Sequence, residues 1–134
     1  MAQPIQLASN FVVLNDKFDA DIVKVTPELY ANLDEEYKSF AGHLLISCYT
    51  FEEDWPTWEV HPAGDEFVIL VSGDIEFVLA LEGGDDITRM NVPGTFVIVP
   101  RNTWHTARVH SPTVMLFITP GEGTENREEP PRTD

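Results

Sequence analysis

Residues 58–73 read WEVHPAGDEFVILVSG, and residues 94–109 read GTFVIVPRNTWHTARV. On a strand, side chains two residues apart point to the same face, so Glu59 and His61 project together. A Pro-Ala-Gly turn then brings Glu66 back beside them. Imidazole and carboxylate donors together suit a borderline or hard divalent cation, which makes this a candidate metal site. The alternative is that both glutamates are solvated surface acids and His61 is an incidental turn residue.

Both stretches belong to a series of short apolar runs separated by Gly, Pro and acidic residues. Such a series predicts an all-β barrel or sandwich. The Gly73-Asp74 pair predicts a tight turn between two of the runs. The predicted strands are 11–14, 21–25, 43–51, 55–61, 66–72, 75–81, 87–92, 95–99, 104–109 and 113–119.

One helix is predicted near the N-terminus. Thr26 is suited to be its N-cap and Pro27 its first residue, and Gly42 is placed to end it. Apolar residues recur at helical spacing between these limits. We expect this helix to pack on the outside of the barrel.

Length and composition favour one globular domain with a real core. The chain has 134 residues, of which 43% are hydrophobic. Eight Lys and Arg against 23 Asp and Glu give a formal charge of −15, which argues against nucleic-acid and anionic-membrane partners. The lone Cys48 favours a packed thiol. With no signal-peptide pattern and no membrane-length apolar run, a cytoplasmic location is expected.

The chain divides by composition into three parts of one domain. Residues 1–42 hold the first strands and the helix, and residues 43–120 form the predicted barrel. Residues 121–134 are rich in Glu, Gly and Pro and are expected to form an acidic surface tail.

The spacing of His61, Glu66 and Gly73 resembles the second half of the first motif of the cupin superfamily. The spacing of Gly94, Pro100 and the final histidine resembles the second cupin motif. The resemblance implies the double-stranded β-helix of that superfamily, also called a jelly-roll barrel. The surrounding sequence is similar to small single-domain bacterial cupins, a group that implies no assigned reaction.

Carrying the family's ligand positions over gives Glu59, His61, Glu66 and His105 as the implied metal ligands. The sequence departs from the family pattern at Glu59, where a histidine is usual, and at Asn102, where glycine is usual. Two carboxylates would balance the charge of a divalent ion, so Zn, Mn, Fe or Ni is implied, in a Lewis-acid or structural role. The alternative is a cupin that has lost its metal and keeps a hydrogen-bonded polar cluster.

Three functions are compatible with this ligand set. The first is a metal-dependent enzyme acting on a small polar organic molecule, such as a sugar derivative or a hydroxy or keto acid. The second is a non-catalytic small-molecule binding or sensing protein, and the third is an Fe(II) dioxygenase, which Glu59 disfavours. The family resemblance also implies a homodimer, with the segment 11–14 as a candidate for pairing between subunits.

Overall fold

The computed structural model describes residues 3–131, and strands dominate it. Nine strands are formed by this part of the chain, together with the helix α1 (Leu29–Glu36) and a 3₁₀ turn at Lys38–Phe40. The strands are β1 (Asn10–Leu14), β2 (Ala20–Lys24), β3 (Leu44–Phe51), β4 (Trp58–Val60), β5 (Glu66–Leu81), β6 (Gly84–Met90), β7 (Phe96–Val99), β8 (His105–Pro120) and β9 (Glu125–Arg127).

Two long antiparallel strands, β5 and β8, organise the barrel. Each has 16 residues, and they pair from Phe67 opposite Ile118 to Leu79 opposite His105, with register shifts near Gly73. The sequence predicted two strands in each of these places, with a tight turn at Gly73-Asp74, and that prediction was wrong. Gly73 instead lies at a β-bulge with a φ of +111°, and the strand continues beyond it.

The bulge divides the pairing into two sheets that share β5 and β8. The first sheet contains the early half of β5, and its strand order is β2-β1-β3-β8-β5-β7. The second sheet contains the late half of β5, and its strand order is β9-β4-β8-β5-β6. Val68 and Leu70 from the early half meet Ile75 and Phe77 from the late half in one buried cluster. The two sheets therefore pack face to face, which confirms the predicted all-β jelly-roll architecture.

Helix α1 packs on a second apolar cluster beside the barrel. Leu29 and Leu33 on the helix bury against Phe11, Val13 and Leu45 of the strands. The prediction of Thr26 as N-cap was wrong, because the helix begins later, after Glu28, which makes no side-chain capping bond. The helix also stops before Gly42, since residues 38–40 take positive φ values.

The ends of the sheets differ from the sequence prediction in two places. Strand β1 pairs on both sides within its own chain, with β2 and with β3, so it offers no free edge to a second subunit. Residues 125–127 form β9, which pairs with β4. The division of the chain at residues 42 and 120 stays a prediction. None of the helices formed by the described residues has the length and hydropathy to cross a membrane.

Candidate metal centre

The structure brings together the four side chains that the motifs pointed to. Glu59 lies in β4 directly opposite His105, the first residue of β8. His61 follows β4 by one residue, and Glu66 is the first residue of β5 in the facing sheet. One ligand-type atom from each residue lies within 4.8 Å of the others.

The contacts within this cluster run through the histidine Nε2 atoms. His61 Nε2 lies 2.8 Å from Glu59 Oε1 and 3.2 Å from Glu66 Oε2. His105 Nε2 lies 3.2 Å from Glu66 Oε1. His61 Nε2, His105 Nε2 and Glu66 Oε1 are all buried, and within the described residues they have no hydrogen-bond partner outside this cluster.

Burial makes this arrangement costly for the protein by itself. The relative exposure is 3% for His61, 2% for Glu66 and 0% for His105. The Glu59 side chain is more open, with 27% exposed. Buried charged and polar atoms that can contact only one another are costly to desolvate, and an ion that accepts their lone pairs reduces this cost.

The far side of each histidine ring is held by a threonine. His105 Nδ1 lies 3.0 Å from the carbonyl oxygen of Thr103, which can only accept a hydrogen bond. His61 Nδ1 lies 2.8 Å from Thr124 Oγ1, whose own hydrogen is donated to the Gly121 carbonyl at 3.0 Å. In the neutral state both rings therefore carry their proton on Nδ1 and direct the Nε2 lone pair into the cluster.

Glu66 is held in the same way. The Thr119 hydroxyl donates to Glu66 Oε2 at 2.6 Å and fixes the carboxylate between the two imidazoles. Burial raises the pKa of Glu66, but the neighbouring His105 and His61 outweigh it and lower that pKa from 4.5 to about 2. Glu66 is thus ionised throughout the physiological range.

The pKa of His61 moves in the opposite direction. Burial lowers it, but the carboxylates of Glu59 and Glu66 outweigh burial and raise it from 6.5 to about 9. Without an ion, His61 therefore holds a proton at pH 7 and compensates the two carboxylates. A cation placed between them would take over that role.

The donor set passes a simple geometric test for a divalent ion. Ligand atoms about 2.1 Å from a tetrahedral ion lie about 3.4 Å from one another. The observed contacts of 2.8 to 3.2 Å and the outer limit of 4.8 Å bracket that spacing. Two imidazoles and two carboxylates fit the ions predicted from the sequence.

A cavity of about 790 Å³ adjoins the cluster, and Glu59, His61 and Glu66 form part of its wall. Strand residues Tyr49 and Phe51 line it as well. Helix α1 closes another part of the cavity wall. The helix was expected only on the outside of the barrel, so its second role was missed.

Two of the threonines at the site, Thr119 and Thr124, were also missed by sequence reasoning. Thr124 lies in the segment expected to be a surface tail, although it bonds to His61. Thr119 shares the inward phase of β8 with Phe117, and that alternation was the available signal. Next to His105 in the chain, Trp104 lies beneath the Arg127 guanidinium, whose carbon is 5.3 Å from the ring centre.

Comparison with known proteins defines the fold. No protein-family model matches the chain, and no curated protein matches it. Among solved structures, a cupin-2 domain protein from Shewanella frigidimarina superposes with a TM-score of 0.50 at 17% identity, over 57% of this chain and 70% of that chain. The chain has the cupin fold.

Two cupins of known activity superpose slightly better. A variant of Bacillus subtilis oxalate decarboxylase gives a TM-score of 0.53 at 19% identity, covering 63% of this chain and 23% of that one. An oxalate oxidase gives 0.52 at 14% identity, covering 60% and 44%. At such identities the likeness extends to the fold and not to the reaction.

The cupin fold explains why the two motifs meet. Strand β4 carries Glu59 and is followed directly by His61, the start of β8 carries His105, and these strands are neighbours in one sheet. Glu66 approaches from the facing sheet because β5 begins there. The cupin resemblance drawn from the motif spacing is therefore confirmed at the level of the fold.

Proposed function

We propose that this cupin binds one divalent metal ion through Glu59, His61, Glu66 and His105. The observation that carries the proposal is the convergence of three buried ligand atoms, from the two histidines and Glu66, that have no partner outside the cluster. Each of those side chains is also oriented by a threonine hydroxyl or carbonyl. Such outer partners are characteristic of metal-binding histidines.

The ion is proposed to be Zn, Mn, Fe or Ni. Glu59 and Glu66 supply two negative charges, which neutralise a divalent ion when both histidines are neutral. Oxalate decarboxylase, which shares the fold, has Mn(II) centres. A bound ion of this group would act as a Lewis acid toward an oxygen of a ligand.

We further propose that the protein is a metal-dependent enzyme acting on a small polar organic molecule. The cavity of about 790 Å³ is large enough for such a molecule and opens directly onto Glu59. Glu59 is the most exposed of the four donors, so it lies where a ligand would arrive. The substrate itself is addressed in the next subsection.

Elemental analysis of the purified protein tests the metal proposal. We expect about one ion per chain, lost on replacing His105 by Gln and kept on replacing His110 by Gln. His110 is a matched control, since it also contacts a glutamate, Glu76, but does so at the surface. Wild-type protein that contains no stoichiometric metal and keeps its stability in chelator would refute the proposal.

Two experiments separate the enzyme from the other functions. A binding or sensing protein would retain a ligand unchanged, so product analysis after incubation with the metal-loaded protein distinguishes it from an enzyme. The Fe(II) dioxygenase reading is tested with Glu59→His, which restores the usual third histidine. Oxygen uptake by the iron-loaded wild type would favour that reading, whereas uptake by the variant alone would show that Glu59 prevents it.

A homodimer is proposed from the family resemblance and from one surface. Strand β7 pairs with β5 alone within residues 3–131, and it exposes Phe96 and Ile98 by 57% and 44%. Apolar side chains on an open edge strand favour pairing with a second chain. A monomeric mass in light scattering at micromolar concentration would contradict the dimer. The cytoplasmic location and the absence of nucleic-acid partners stay predictions.

A further inference from the structure

One part of the cavity wall beside the metal centre is a cluster of aromatic side chains. Trp55 lies 5.3 Å from Phe51 and 6.1 Å from Phe117, measured between ring centres, and Tyr49 lies 6.0 Å from Phe51. These four side chains line the cavity. Across from them, Tyr30 of helix α1 reaches the Tyr49 hydroxyl with its own. Such a wall offers faces and edges for another ring.

Apart from His61, which belongs to the four-residue cluster, the charged residues that line the cavity are all acidic. Besides the two metal-site glutamates, its lining includes Asp34, Glu53 and Asp54. Neither lysine nor arginine lines it within the described part of the chain. With the ion bound, Glu59 and Glu66 neutralise its charge, so a carboxylate or phosphate ligand would meet the remaining acids of the wall without a lysine or arginine to pair with. The wall therefore favours an uncharged ligand over an anionic one.

Trp55, which lines the cavity, also carries a buried hydrogen-bond donor in need of an acceptor. Trp55 Nε1 is buried and has no partner among residues 3–131. Its ring centre lies 6.1 Å from that of His105, so the Trp55 ring lies beside the metal centre. Because an unpaired buried N–H is costly, a ligand oxygen at this place would both satisfy Trp55 and face the ion.

We propose that the cavity binds a small, uncharged aromatic molecule that carries a hydroxyl or carbonyl oxygen. The ring lies against Phe51, Trp55 and Phe117, and the oxygen accepts a hydrogen bond from Trp55 Nε1 on the side of the four-residue cluster. This replaces the sugar derivative or hydroxy or keto acid predicted from the sequence. The placing of the ligand oxygen near the ion rests on the proposed metal site. The binding of an aromatic ring in the cavity does not depend on it.

Three probes of similar size test the ligand class. Binding of phenol, cyclohexanol and benzoate to the metal-loaded protein is measured at pH 7 by titration calorimetry or ligand-observed NMR. Phenol is expected to bind about three- to tenfold more tightly than cyclohexanol, because only phenol gains aromatic contacts. It is also expected to bind about tenfold more tightly than benzoate, whose charge opposes the acidic wall. Equal or tighter binding of cyclohexanol or benzoate overturns the proposal.

Two variants test the donor. Trp55→Phe keeps an aromatic ring and removes the N–H, so phenol binding should weaken about three- to tenfold. Trp104→Phe is the matched control, because Trp104 packs under Arg127 and does not line the cavity. Unchanged phenol binding by Trp55→Phe, with both variants folded by circular dichroism, overturns the role of Trp55.

Metal analysis of the same samples separates this inference from the proposed function. Preferential phenol binding to a protein that holds no metal would support the aromatic cavity and refute the metal centre. A stoichiometric metal with no preference for phenol would support the metal centre and refute the aromatic cavity.

Discussion

Replacing Glu66 by Gln tests the electrostatics of the cluster most directly. Glutamine keeps the shape of the side chain and removes its charge, so it mimics a permanently protonated Glu66. In the folded protein the carboxylate lies 3.2 Å from both His61 Nε2 and His105 Nε2, with 2% of the residue exposed. The substitution therefore removes the negative charge that those histidines contact, in the metal-free as well as the metal-loaded protein.

The size of the effect follows from the pKa of Glu66. Its value falls from 4.5 to about 2, a difference of about 2.5 units, and each unit corresponds to about 1.4 kcal/mol. A lowered carboxyl pKa contributes stability above the unfolded value and loses it as the pH falls through the folded value. Glu66→Gln should thus lower the free energy of unfolding by about 3 kcal/mol at pH 7, and by progressively less between pH 4.5 and 2.

Denaturant unfolding in excess chelator, repeated from pH 7 to pH 2, measures this difference. Glu76→Gln is the matched control, because Glu76 contacts His110 at 3.1 Å near the surface, where 40% of the histidine side chain is exposed. That variant should lose less than about 1 kcal/mol. Equal unfolding free energies for wild type and Glu66→Gln at pH 7 would refute the attraction inferred between Glu66 and the two histidines.

Three further results are expected. Because the pKa of His61 is about 9, each metal ion bound at pH 7 should displace about one proton, and metal affinity should rise with pH up to about 9. Calorimetry in buffers of different ionisation enthalpy measures the released proton. Binding without proton release would contradict this expectation. Thr124→Val removes the partner of His61 Nδ1 and should weaken metal binding about 10- to 100-fold, whereas Thr95→Val, at an exposed turn, should leave it unchanged. Gly73→Ala should destabilise the protein by about 2 kcal/mol or more, because φ is +111° and a Cβ would lie 2.5 Å from a backbone carbonyl oxygen. Gly83→Ala, with open space around it, should be tolerated in the same denaturation assay.

The candidate ligands could be found from the sequence because their relations are short-range. Glu59 and His61 share a face by strand alternation, and a turn of fixed length returns Glu66 to them. The position of His105 came from the spacing of the second cupin motif. By contrast, Thr124 is far along the chain in an acidic segment, and nothing local marks it as a partner of His61.

The sequence predicted where the strands lie, but it did not predict which neighbouring strands are continuous with each other. The Gly73-Asp74 pair resembles a turn, so the first long strand was divided in two, and the second was predicted as two strands, 104–109 and 113–119. Only the pairing of β5 with β8 shows that the chain crosses these points as bulges. The end of α1 was predicted too late for a similar reason. Residues 38–40 have positive φ values, but none of them is glycine, so the sequence did not indicate that the helix ends before them.

The sequence by itself determined which donor side chains are available and which of them share one face of a strand. These properties depend only on residue type and on the two-residue period of a strand. The tertiary structure decided that Glu66 meets the others across two facing sheets, and that threonines orient the ligand side chains. It also decided that helix α1 and the aromatic residues of the barrel enclose one cavity beside the cluster. These features depend on contacts between residues distant in sequence, so no local pattern carries them.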